Sequence, residues 1–441
     1  MIAEFTIENY RSFKEKHTFS MISTKNKELS DLNTFEIDKK LCFLKTAVIY
    51  GANASGKSNF FLALRFFLDF VVNSGPNGQI GYPIGAEPFI FSRQTEDKPS
   101  FFEIIFYIIN DDQKIRYRYG LSANKDNVVN EYLFAIFNTR EVPLFTRESQ
   151  DIICTSYFKE GNRIRPAVRN NSSFLSVCAQ NNGDISAQII IYFQNIFITS
   201  GLQDLSAFTK KELHNSIYIQ KVLGFLQYAD TQIKNLKIES IPVDLDNGEF
   251  SKASEVIAFF SFLKKKLPEI GQQEMVYFGH TLYDGEQPVG ERFLAEGNES
   301  TGTQKLFSYS MPILMALEQG TPLFIDEFDA SLHPLIIEAI IKLFNSPDKN
   351  PKNAQLVISC HAVNILTNKL FRRDQIWFCE KDQYGATKLY SLVEYNDPVR
   401  NDAAFGKNYL QGNYGAIPHI DKMFLQVGNI EVSQVKNNKE L

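Results

Sequence analysis

The chain opens on an alternation of apolar and polar positions, Ile2-Ala-Glu-Phe-Thr-Ile7, the period of a half-buried strand. A short apolar run, Leu44-Lys-Thr-Ala-Val-Ile-Tyr50, predicts a second strand that stops at a glycine-bearing segment. After Lys57 comes Ser-Asn-Phe-Phe-Leu-Ala-Leu-Arg-Phe-Phe-Leu-Asp-Phe, helix formers for about four turns. The region therefore reads strand, glycine loop, helix. Three β-rich runs follow, Phe101 to Ile109, Ile115 to Ser122 and Val128 to Phe137, parted by Asp111-Asp112 and Lys125-Asp126-Asn127, and they predict an antiparallel meander. From about Ser172 to Leu267 the pattern is mostly helical, with candidates at Phe174 to Ala179, Ser186 to Phe193, Lys210 to Tyr228 and Ser254 to Leu267. The polar stretch from Pro242 to Glu249 is the best internal linker, and no heptad repeat persists that would build a long coiled-coil arm. From Thr301 the elements alternate: helix to Leu317, strand Pro322 to Ile325, helix Leu335 to Phe344, then strands Gln355 to Ser359 and Gln375 to Phe378. That alternation implies a parallel sheet layered with helices. The last dozen residues read as a frayed tail.

Composition narrows the class. With 441 residues, 44% hydrophobic and 22% charged, the chain can bury a core and lies far from the signature of disorder. Its length corresponds to roughly three domains, or to one α/β unit with a long insertion. The net charge of −5 gives no global field for nucleic acid or anionic lipid. Five scattered cysteines without a CxxC spacing argue against a disulfide framework and a structural zinc site, and point to a reducing, cytoplasmic compartment. The charged, alternating start is unlike a signal peptide. The most apolar helical stretch, Phe60 to Val72, is broken by Arg65 and Asp69 and falls short of the ~20 residues of a membrane span.

Candidate chemistry sits where strands end. Gly51-Ala-Asn53-Ala54-Ser55-Gly56-Lys57-Ser58 matches GxxxxGK[ST] between a strand and a helix, the context that motif requires. Glycines let the backbone wrap phosphates, successive N–H groups and the helix N-terminus supply positive dipole ends, and Lys57 adds a point charge. Ser58 is then placed to ligate Mg²⁺ beside the β- and γ-phosphates. The apolar strand Leu323-Phe-Ile325 ends in Asp326-Glu327: Asp326 can hold the metal through water and Glu327 can polarise an attacking water. Glu299-Ser300-Thr301-Gly302-Thr303-Gln304 opens a helix 24 residues (from Gly302) before Asp326, so its hydroxyl and N–H groups either cap that helix or meet a phosphate. His361 ends the next strand; such a histidine is commonly structural, but its place after the acid strand favours a γ-phosphate contact.

In order, the glycine loop, Ser-x-Gly-Thr signature, Ile-Asp-Glu, Ser331-Leu-His-Pro334 and strand-end His361 resemble the ABC-type ATPase heads of SMC, RecF and OLD-like proteins. The nearest resemblance is to RloA/AbiL-type AAA ATPases of bacterial phage-defence and abortive-infection operons. It extends to Asn9-Tyr10-Arg11-Ser12-Phe13, to Arg372-Arg-Asp-Gln-Ile-Trp377 and to Tyr409-Leu-Gln-Gly-Asn-Tyr-Gly-Ala-Ile-Pro418, whereas residues 75 to 270 match loosely. The resemblance implies an α/β ABC-type head with a mixed sheet, an antiparallel β layer and a mainly helical insertion. Its divisions are 1–171 (loop and β layer), 172–272 (helical lobe), 273–420 (signature, acids and His361) and a 421–441 tail.

It also implies site roles. Gly51, Asn53, Ala54, Ser55, Gly56, Lys57, Ser58 and Asn59 bind ATP, with Arg11 near the nucleotide. Ser58, Asp326 and Gln180 serve Mg²⁺, Gln180 as a Q-loop glutamine. Glu327, His361 and Lys57 are catalytic. Ser300, Gly302 and Thr303 reach the γ-phosphate of a nucleotide held by a second subunit. Gln180 and Arg11 have bland readings too, as a surface amide and a surface charge. Thr-Gly-Thr in place of paired glycines departs from the transporter signature. Two nucleotides sandwiched between two heads would join a homodimer, open to higher assembly, whose state restrains or releases a nearby-encoded effector, a nuclease or toxin, on a phage trigger. The 80 residues after His361 leave no room for the TOPRIM nuclease domain of OLD-like proteins, so toxicity is expected from a partner. The rival reading is a RecF-like DNA repair ATPase, with ATP-dependent, salt-sensitive DNA binding; no membrane partner is expected.

Overall fold

The computed structural model describes residues 1–38, 41–110, 113–137, 140–229, 231–242, 272–395 and 399–418. Their strands are β1 (Ile2–Glu8), β2 (His17–Ser20), β3 (Thr34–Asp38), β4 (Leu41–Leu44), β5 (Thr46–Tyr50), β6 (Ser100–Asn110), β7 (Gln113–Ala123), β8 (Val128–Ile136), β9 (Glu141–Glu148), β10 (Asp151–Cys154), β11 (Phe197–Ser200), β12 (Asn235–Pro242), β13 (Gln272–Asp284), β14 (Gln287–Ala295), β15 (Leu323–Asp326), β16 (Leu356–Ser359), β17 (Ile376–Lys381) and β18 (Thr387–Ser391). Two sheets organise the molecule. A six-stranded sheet runs β11-β15-β16-β5-β17-β18; its first five strands are parallel and β18 returns antiparallel on β17. A seven-stranded antiparallel sheet runs β10-β9-β8-β7-β6-β1-β2.

Every residue of β5, β15 and β16 is buried, as expected of parallel strands covered on both faces. The helix Lys57–Asn73 fills the space between the two sheets. Phe60 packs edge-on against Phe5 of β1 (6.0 Å) and Phe67 lies 5.7 Å from Tyr119 of β7, while Phe61 meets Phe324 of β15 at 6.4 Å. One apolar core therefore joins the antiparallel layer, this helix and the near face of the mixed sheet. A second core covers the far face with the helices Thr301–Gln319, Pro334–Asn345 and Phe405–Leu410.

A buried ion pair ties the meander to the helices after it. Glu131 and Arg147, both fully buried, meet at 3.2 Å. The Glu131 carboxylate also accepts the Phe174 and Leu175 N–H groups at 2.7 and 3.0 Å, at the N-terminus of the helix Phe174–Gln180.

The middle of the chain differs from its expected helical character. Lys210 to Tyr228 is two helices, Ser206–Glu212 and Ser216–Tyr228, because the Asn215 side chain accepts the Ile217 N–H and starts a new one. Phe197–Ser200, inside the 172–272 stretch, is a strand of the mixed sheet, so that stretch builds the core as well as a lobe. β12, β13 and β14 form a separate antiparallel sheet that leads into the segment before Ser300. The meander continues through β9 and β10. The Asp111-Asp112 turn, the Ser254 to Leu267 helix, most of the Pro242 to Glu249 linker and the tail lie outside the described residues.

Candidate functional site

The phosphate loop starts where β5 ends. Gly51 lies so close to β17 that a Cβ there would sit 2.3 Å from the Cys379 carbonyl oxygen. Gly56 has φ 110°, a conformation open to glycine, and a Cβ would fall 2.1 Å from Thr387 Oγ1. These two glycines let the loop turn into the helix that begins at Lys57. Lys57 is buried, and its ammonium donates to the carbonyls of Gly51 and Ala52 at 2.8 and 3.0 Å. Burial pulls its pKa below the ordinary 10.5, against the opposing fields of Cys379, Asp326, Glu327 and Asp329. The loop cation and the strand-end acids thus feel one another across the sheet. Ser55 Oγ is buried with no hydrogen-bond partner, and Asn53 and Ala54 are exposed.

β16 lies between β5 and β15, and its last residue organises the acids. Ser359 Oγ donates to Asp326 Oδ1 at 2.5 Å and accepts the Glu327 N–H at 2.7 Å. Glu327 has φ 51°, and the Gly201 N–H donates to the Asp326 carbonyl at 2.6 Å. A Cβ on Gly201 would lie 1.9 Å from the Glu327 carbonyl oxygen, so the turn after β11 requires glycine. Two residues further, Gln203 follows Ser200, which pairs with Asp326. The His361 N–H donates to Asp329 Oδ2 at 2.8 Å. Partial burial first, and then Lys57, hold the His361 imidazole below its ordinary 6.5, while Asp329, Glu327 and Asp326 oppose them.

A cavity of about 700 Å³ opens on the outer face of the loop. Gly51 to Ser55 form one wall, His361 another, and Tyr409 and Ala416 to Pro418 a third. The Tyr409 ring lies 5.7 Å from Tyr50, and its hydroxyl donates to the Ala416 carbonyl at 3.1 Å. The Tyr409-to-Pro418 segment singled out in the sequence is therefore part of the surroundings of the loop.

The other expected site residues have partners of their own. Ser300 caps the helix Thr301–Gln319, accepting the Thr303 N–H at 3.1 Å. Ser300, Gly302 and Thr303 do not line the loop cavity; Gly302 instead approaches the Ser331 carbonyl. Asn59 donates its amide to Ser12 Oγ at 2.7 Å. Arg11 is paired with Glu87 at 2.9 Å. Gln180 ends a helix packed on Lys57–Asn73, and Gln203 occupies the turn after β11, the strand paired with β15. Ser359, Asp329 and Gly201 received no role from sequence reasoning; their signal was position at the ends of neighbouring strands, visible once the strand order is known.

The residues fit a nucleotide with its metal. The loop offers an unpartnered buried hydroxyl, a glycine-shaped cradle and a desolvated cation. Among the described residues no cluster of three or more His, Cys, Asp or Glu could hold a metal by itself. Mg²⁺ takes one or two protein oxygens and completes its shell with phosphates and water.

Among known families, the one described as "AAA domain, putative AbiEii toxin, Type IV TA system" matches residues 47–367. Its span runs from within β5 to just past His361. No curated protein matches the chain. Among the described residues no helix is long and apolar enough to cross a membrane.

Proposed function

Since the chain belongs to this AAA-domain family of phosphate-loop ATPases, we propose that it binds ATP with Mg²⁺, hydrolyses it, and uses the cycle to control an effector in anti-phage defence. The observation that carries the reading is the buried Lys57, which follows the loop after β5 and lies in the field of Asp326 and Glu327 at the end of β15, one strand removed from β5 in the sheet. In this reading the N–H groups of Gly51 to Ser58 and the Lys57 ammonium hold the phosphates. Ser58 and Asp326 hold the metal, with Gln203 as the glutamine in place of Gln180. When bound, Mg²⁺ neutralises charge on the β- and γ-phosphates.

Glu327 orients and deprotonates the attacking water, and His361 donates a hydrogen bond to the γ-phosphate. Ser359 fixes the Asp326 carboxylate and the Glu327 backbone, so the metal-holding oxygen is oriented before substrate arrives. Ser300, Gly302 and Thr303, at the capped start of the helix Thr301–Gln319, reach the nucleotide of a second copy in this reading. ATP would then stabilise a closed head dimer, and loss of the γ-phosphate would release it. The RloA/AbiL-type assignment and the nearby-encoded nuclease or toxin partner belong to this proposal, supported by the toxin–antitoxin description of the family.

Glu327→Gln is expected to keep nucleotide binding and lower turnover by about 10²–10⁴-fold, the share of a general base. Full turnover in that variant refutes the role of Glu327. In phage-challenged cells carrying the chain with its neighbouring genes, Lys57→Ala is expected to abolish protection. Protection that survives this change refutes an ATP-dependent defence role.

A further inference from the structure

The inference rests on the reading of Glu327 as the carboxylate that activates water, and it concerns what holds the Glu327 turn. Tyr309 stands in the helix Thr301–Gln319, the helix that the signature opens. Its side chain is fully buried, yet its hydroxyl has no hydrogen-bond partner among the described residues. Phenylalanine would fill the same space without leaving a polar atom dry, and an orphaned buried hydroxyl is costly to keep. A partner that reaches it in another state of the molecule would account for that cost.

The hydroxyl is mounted against the acid turn. The Tyr309 ring lies 5.4 Å from that of Phe328, the residue after Glu327. The Lys305 ammonium stands 5.0 Å from the centre of the Tyr309 ring and is anchored on the Gln203 carbonyl at 2.7 Å. The place of a Cβ on Gly201 is 1.9 Å from the Glu327 carbonyl oxygen and 3.1 Å from the Tyr309 hydroxyl, so the two oxygens border one small gap that glycine leaves open. The Glu327 carbonyl accepts the Ala330 N–H at 3.1 Å, and a carbonyl has a second lone pair to offer. Glu327 itself is held at φ 51°, a left-handed conformation that a non-glycine residue keeps under constraint and that clusters at switch positions. Burial first, and then Asp329 and Asp326, push the Tyr309 phenol above its ordinary 10, so the hydroxyl keeps its proton and can donate. We infer that Tyr309 is a positioning residue: with Mg²⁺-ATP in the loop, the Glu327 turn settles onto the Tyr309 hydroxyl, which donates to the Glu327 carbonyl and so aims the carboxylate at the attacking water.

The test is steady-state turnover, calorimetric Mg²⁺-ATP binding and thermal melting of Tyr309→Phe in the full chain, alone and combined with Glu327→Gln. Tyr309→Phe should lower kcat about ten-fold, the share of one hydrogen bond, and leave KM and Mg²⁺-ATP affinity unchanged. Its melting temperature without nucleotide should equal or exceed that of the wild type, because the dry hydroxyl is gone. Added to Glu327→Gln, the same change should cost no further turnover, since no carboxylate is left to aim. Unchanged kcat in Tyr309→Phe overturns the inference, as does a melting temperature that falls together with turnover, the mark of a hydroxyl that only supports the core. A ten-fold loss that persists on top of Glu327→Gln overturns it too. Full turnover in Glu327→Gln alone refutes the catalytic reading and the inference with it; an inert Glu327→Gln beside a fully active Tyr309→Phe refutes the inference only.

Discussion

One hydroxyl, that of Ser359, reaches both acids at the end of β15, and no pattern of residue types announces it. Its donor goes to Asp326 and its lone pair takes the Glu327 N–H. Outer-shell partners of this kind are worth about 10–100-fold in metal affinity. Ser359→Ala is therefore expected to raise the Mg²⁺ concentration needed for half-maximal turnover by that factor; an unchanged Mg²⁺ titration contradicts the role. His361 makes a prediction in pH. Burial and Lys57 depress its folded pKa below 6.5, so below that pH the unfolded chain binds the extra proton more readily. The stability this group contributes is complete above pH 6.5 and is lost as pH falls through the folded pKa. Melting temperature of the wild type should thus fall more steeply on acidification than that of His361→Gln, and parallel profiles would contradict it. Lys57 and Ser58 stand out in the sequence because loop chemistry fixes residue types at fixed spacing, and Asp326 and Glu327 because two acids end an apolar strand. Ser359 and Asp329 do not, since only the side-by-side placement of β15 and β16 gives them a task.

Elements were legible where their hydrophobic period is long and uniform. The helix Lys57–Asn73 and the buried strands β5, β15 and β16 follow their apolar runs to within a few residues. β11 was missed because Phe197 continues an apolar stretch that begins in the helix Asp184–Gln194, and the boundary lies at the single Asn195. In the sheet β12 to β14 the buried face is short, with Leu236, Val276 and Phe278 on it and β14 exposed over most of its length, so the alternation it imposes is faint. Glu131 and Arg147 could not be paired from sequence, as each looks like a solvated charge on a strand. Their pairing is a demand of the fold: Glu131→Ala leaves Arg147 buried without its counter-charge and uncaps Phe174–Gln180. Such a loss costs about 3–5 kcal/mol. Denaturant unfolding should show a drop of that size, and a change below about 1 kcal/mol would contradict the role given to the pair.

At the scale of the molecule, Lys57 and Asp326 are 269 residues apart in the chain yet two strands apart in the sheet. The insertion between them supplies β6 to β10 of the antiparallel layer, β11 and the route to Ser300, so the two ends of the family match close one ATPase core. In the proposed cycle the loop of one copy joins the signature turn of another, Ser300 to Thr303 at the start of the helix Thr301–Gln319, and this joining makes ATP part of an interface. It is tested by mixing two variants, Lys57→Ala and Ser300→Arg, each expected to be inactive alone. In a mixed pair the loop of one chain meets the intact signature of the other, completing one site. Equimolar mixing should restore roughly a quarter of wild-type ATP turnover if pairing is random; turnover that stays at the level of the separate variants would contradict a site shared between two chains.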